Sequence, residues 1–150
     1  MQGLTHCHIA WILLHGGRLD DATGHVERAL TFLEGQPASR VIALATRARI
    51  ELARGHVEAA LADAEAARVG LAALDRVQEG ESLVLLTWAE ALDAAGRTDE
   101  AHEAIVAARR SVGDRSQNIE QPELRASFRH AVPENARILA LARAWERAAT

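Results

Sequence analysis

The sequence is short of most residue types that give a small protein its chemistry. Cys7 is the only cysteine in 150 residues, so no internal disulfide and no thiolate metal cage can form, and a reducing, cytoplasmic setting is the expectation. Tyrosine and lysine are absent, and the aromatic rings are limited to Trp11, Trp88, Trp145, Phe32 and Phe128. Valine and isoleucine are scattered, so strand formers are scarce. No run approaches the ~18 apolar residues that a membrane span requires. The apolar opening from Leu4 to Leu14 lacks the basic leading segment of a secretory signal and is interrupted by His6 and His8. A formal net charge of −4 is too mild to argue for nucleic acid or an anionic membrane as partner. The charge is uneven, however: residues 1–108 carry 9 Arg against 16 acids, whereas residues 109–150 carry 8 Arg against 5 acids.

What is abundant is alanine, which has the highest helix propensity and lets backbones approach closely. The expectation is one all-α domain of closely packed helices.

An internal repeat organises the chain. Three segments align on a glycine: His6 to Leu30 around Gly17, Leu44 to Arg68 around Gly55, and Leu85 to Arg109 around Gly96, with the glycines 38 and 41 residues apart. Seven residues before each glycine stand Ala10, Ala48 and Ala89; five after it, Ala22, Ala60 and Ala101; twelve after it, Ala29, Ala67 and Ala108. Small residues are needed where a helix A, its helix B and the next helix A cross, because only a methyl group fits there. The glycine stands where helix A must stop in the left-handed region, and Asp20 and Thr98 stand where an N-cap of helix B belongs.

These residues resemble the tetratricopeptide repeat over residues 4 to about 112. The periods exceed the ~34 residues usual in that family, and its aromatic positions are largely alanine or leucine here. Longer, alanine-rich units of this kind are similar to the C-terminal regions of large bacterial signalling proteins: regulator ATPases, nucleotide cyclases and kinases with repeat tails. The resemblance implies an α-solenoid of three helix-turn-helix hairpins in a right-handed stack, with repeats at about 4–34, 40–78 and 81–119 and a C-terminal capping helix pair at 122–148. It implies a non-catalytic protein–protein interaction scaffold, the sensing or assembly part of a signalling or transcription regulator, with no cofactor.

The boundaries are read from local chemistry. Helices are expected from about Leu4 to His15, Asp20 to Leu33, after Ser39 to before Gly55, Val57 to about Gln78, Glu81 to Ala95, and Thr98 to as far as Ile119, with Gly113 a weak point. Gly35 and Pro37 read as a stop after the second. Pro122 and Pro133 each open a further helix, proline being suited to a first helical position. The closing pattern, SF then VPEN then an amphipathic helix, is similar to the ends of the same bacterial proteins.

Candidate chemistry is thin. His6, His8 and His15 invite a metal-dependent enzyme, but residues two apart on a helix point about 200° from each other and cannot chelate one ion. Cys7 reads as packing rather than a nucleophile. The acids Asp20 and Asp21, Asp63 and Glu65, and Asp99, Glu100 and Glu103 read as first-turn or outer-face carboxylates. The tail arginines, interleaved with acids and without stacking aromatics, offer a weak alternative as a nucleic-acid surface. Mapping the resemblance residue by residue places Cys7, Trp11, Leu14 and His15, then Ala45, Arg49 and Leu52, then Leu86, Glu90 and Asp93 along a ligand groove. Trp11, His15, Arg49, Glu90 and Asp93 are the candidate binding residues, and a peptide with an apolar anchor and a basic residue would complement them. Because Leu4, Ile9, Trp11, Ile12, Leu13 and Leu14 surround the first helix, self-association through it, or an upstream repeat covering it, is also expected.

Overall fold

The computed structural model describes residues 1–75 and 79–150, which hold eight α-helices and no strand. Three pairs come first: α1 (Gln2–His15) with α2 (Leu19–Phe32), α3 (Pro37–Arg54) with α4 (Val57–Ala72), and α5 (Glu81–Ala94) with α6 (Thr98–Gln117). A short α7 (Pro122–His130) and a final α8 (Pro133–Ala149) follow.

The turn inside each pair is the same. Gly17, Gly55 and Gly96 take φ of +73°, +77° and +73°, a region closed to most side chains. The amide after each glycine bonds back to the carbonyl five residues earlier: Arg18 N to Leu13 O, His56 N to Glu51 O and Arg97 N to Leu92 O, all at 2.9 Å. The glycine amides bond to Leu14, Leu52 and Asp93 at 3.0–3.1 Å. This double closure satisfies the last carbonyls of each first helix.

So tight a turn leaves no room for the caps expected at Asp20 and Thr98. The N-cap positions fall on Arg18 and Arg97, neither of which caps with its side chain, and Asp20 and Thr98 are already helical. Acids one position after Asp20 and two after Thr98 act instead. Arg18 Nε donates to Asp21 at 2.9 Å and Arg97 Nε to Glu100 at 2.7 Å, placing each carboxylate against the positive end of its helix.

Pro37 likewise opens α3 instead of closing the segment before it, because its fixed φ and missing N–H cost nothing at a first helical position. The fourth helix ends at Ala72; its expected end at Gln78 lies outside the described residues. Gly113 is accommodated within α6, and α7 occupies the range expected from Pro122 to His130.

All nine aligned alanines have no exposed surface. Ala10 and Ala22 pack with Val26 and Ile50, Ala48 with Ala64 and Ala91, and Ala89 and Ala108 with Ile105 and Ile138. The helices α1, α3, α5 and α8 touch in series, and α8 lies on both α5 and α6 as α5 lies on α3 and α4. On α8, Ile138, Leu139 and Ala142 are buried and Trp145 half-buried, with Arg137, Arg143 and Arg147 outside.

Helix α1 is not apolar on every exposed side. Its outer arc alternates Leu4 and Ile12, the latter 68% exposed, with Thr5, His8 and His15, while Ile9, Trp11, Leu13 and Leu14 are half-buried. No helix among the described residues is long and apolar enough to cross a membrane.

Candidate functional site

The series α1, α3, α5, α8 lines two adjoining cavities. An upper one of about 430 Å³ takes residues nearer the N-terminus of each helix: Cys7, His8 and Trp11; Ile42 and Thr46; Ser82 and Leu83; Glu134 and Asn135. A lower one of about 470 Å³ takes residues from further along the same helices: Leu14 and His15; Arg49, Leu52 and Ala53; Glu90 and Asp93; Arg137, Leu141 and Trp145. The four helices therefore run in one direction across a single groove. Trp11 joins the two levels, since its ring meets that of His15 at 4.5 Å between centroids and lies under the Arg49 guanidinium at 5.8 Å.

Of the residues named from the sequence, His15, Arg49, Glu90 and Asp93 share the lower cavity, and Trp11 stands in the upper one beside them. Glu90 does not wait for a ligand. Arg49 donates to its Oε2 at 2.8 Å and Arg137 to its Oε1 at 3.2 Å, with the Glu90 side chain only 19% exposed. Trp11, Arg49 and Glu90 each stand six residues before a turn glycine, so one position of the alignment forms a ladder across the groove, extended by Arg137 from α8. That shared offset was the available signal for the Arg49–Glu90 pair. Nothing in the alignment pointed to Arg137, Leu141 and Trp145, because α8 carries no turn glycine. The next shared position holds Leu14, Leu52 and Asp93. Asp93 is exposed and makes no ion pair among the described residues.

The floor of the upper cavity is a closed polar network inside an apolar wall. Ser82 donates to Asn135 Oδ1, Asn135 Nδ2 to the Phe128 carbonyl at 2.8 Å, and Arg115 Nη2 to Ser82 Oγ at 2.6 Å. The Arg115 guanidinium also lies over the Phe128 ring at 5.5 Å. Trp11, Ile42, Leu83, Phe128 and Val132 supply the apolar surface. Cys7 is 3% exposed with its Sγ 3.6 Å from Thr46 Oγ1. Burial pushes its thiol above the ordinary value, against the smaller opposing effect of the Thr46 contact, so the nucleophilic thiolate is disfavoured.

The other candidates disperse. His6 and His25 are in hydrogen-bond contact, Nδ1 to Nδ1 at 2.9 Å, and His6 stacks on Phe32, while His8 faces the upper cavity and His15 the lower. Among the described residues no three His, Cys, Asp or Glu side chains gather as a metal would need. Arginines engage Asp20 (Arg54), Asp21 (Arg18), Asp63 (Arg47) and Glu100 (Arg97). In the tail, Arg109 pairs with Glu146 at 2.6 Å and Arg125 donates to the Ile119 carbonyl. A third cavity, on the α4–α5–α6 side, has Arg68 over the Trp88 ring at 5.1 Å. Comparisons with protein-family models, with curated proteins and with solved structures give no match to this chain.

Proposed function

We propose that the chain is a non-catalytic protein-binding scaffold of the tetratricopeptide type, an α-solenoid of three hairpins in which α8 continues the row of first helices, and that it serves a bacterial signalling or transcription regulator as a sensing or assembly part. The observation that carries this reading is the groove: four helices of one direction present two joined cavities, apolar above and polar below, a form suited to an extended peptide or helix. The repeat register supports it, since one alignment position supplies Trp11, Arg49 and Glu90 to the same surface. Two rival readings find less support. A metal-dependent enzyme needs His6, His8 and His15 together, and they face three different surroundings. A nucleic-acid surface needs a cluster of free tail arginines, and four of the eight, Arg109, Arg115, Arg125 and Arg137, are held by protein groups.

Photo-crosslinking in extracts of the source organism tests the proposal. A crosslinking residue replacing His15 or Ala53, both exposed in the lower cavity, is expected to give the same discrete protein adduct. The same residue at Glu65, exposed on α4, is expected to give none. Equal adducts from Glu65, or none from either groove position, would refute the reading. Charge reversal at Glu90 is a poor test, because it strips both arginines of their partner and disturbs the α3–α5–α8 junction.

A further inference from the structure

The two cavities differ in what they leave unsatisfied. Above, the polar floor formed by Ser82, Asn135 and Arg115 is internally bonded and the carboxylates of Glu79 and Glu134 also line the cavity, but most of the surface open to a guest is the apolar wall of Trp11, Ile42, Leu83 and Val132. Its volume of about 430 Å³ admits a large side chain. Below, Glu90 is saturated by Arg49 and Arg137, and these three groups together carry one net positive charge that is turned toward Glu90. In this lower cavity Asp93, in the last turn of α5, makes no ion pair among the described residues. The carbonyl ends of α1, α3 and α5 point to the same level, where helix dipoles add negative potential. A cation is therefore favoured at Asp93 and an apolar group above Trp11.

Resting on the reading of this groove as a peptide site, we propose that it recognises a peptide at two points: an aromatic or branched aliphatic side chain in the upper cavity, and a lysine or arginine at Asp93 in the lower one. The sequence alone would give the basic residue to Glu90 and Asp93 together; the geometry assigns it to Asp93. The apolar residue of the peptide thus lies nearer the N-termini of these helices and the basic one nearer their C-termini.

Random peptides displayed on phage and selected on the full chain supply the probe, and two substitutions that spare the fold read the two points. Val132 is the N-cap of α8, where aspartate is a favourable residue, so Val132→Asp puts a charge at the cavity wall without harming the helix. Asp93→Asn removes a charge from a helix C-terminus, where it is mildly unfavourable. Selected peptides are expected to share an apolar residue and a Lys or Arg, and to lose about tenfold or more in affinity to Val132→Asp. They are expected to lose about two- to fivefold to Asp93→Asn, a loss that vanishes when the peptide's basic residue is replaced by Gln. Peptides that bind both variants unchanged but fail on Trp88→Ala would overturn this inference and leave protein binding standing. Failure to select any peptide above a urea-unfolded control would overturn both.

Discussion

Ile138→Ala is expected to lower the stability of the chain by about 2–5 kcal/mol, with the urea midpoint falling accordingly. Ile138 has no exposed surface and packs in one cluster with Leu86 of α5, Ile105 and Val112 of α6, and Leu139 of α8. Removing its branched side chain leaves a cavity that α8 alone cannot collapse, because the helix is also tied down by Arg137 on Glu90 and by Asn135 on Ser82. If α8 were an appended helix rather than part of the row, the change would be below ~0.5 kcal/mol, and chemical denaturation would show a midpoint close to that of the parent chain.

Enlarging the crossing alanines should cost nearly as much. Ala48→Leu and Ala89→Leu are each expected to destabilise by about 1–3 kcal/mol, whereas Ala149→Leu, on an exposed last turn, should stay within ~0.5 kcal/mol. Ala48 meets Ala64 and Ala91, so its methyl group marks where α3, α4 and α5 come together, and three extra carbons there must push helices apart. Three equal midpoints would remove the register from consideration.

The helices were legible where the chain's chemistry is local. A glycine that must turn left-handed, a proline at a first helical position, and alanines in fixed columns each act within a few residues, and Gly55, Pro133 and Ala48 sit as that chemistry requires. The errors came where two local signals competed. Pro37 is compatible with either the end of one helix or the start of the next, and only the packing of Val41 and Ala45 into the core decides that the helix begins there. Asp20 and Thr98 have good capping chemistry, but the three-residue Gly–Arg turn had already fixed the cap one or two positions earlier. That His15, Arg49, Glu90 and Asp93 line one cavity was legible in the sequence, and their pairing was not. Arg49 and Glu90 lie 41 residues apart, and that they neutralise each other follows from how adjacent helices abut. Arg137 was beyond reach, since no alignment column places α8 against α5. His6 with His25 is a similar case, set by the approach of α1 to α2.

Peptide binding is assigned to the groove between α1, α3, α5 and α8. Amide chemical-shift mapping of the full chain, titrated with a peptide selected from the random library, tests it most directly. The prediction is that the largest shifts fall on His8, Trp11, His15, Arg49, Ala53, Asp93 and Arg137, with α2 and the outer face of α4 unchanged. Shifts confined to Arg68, Leu71, Trp88 and Ala104, around the third cavity, would contradict it.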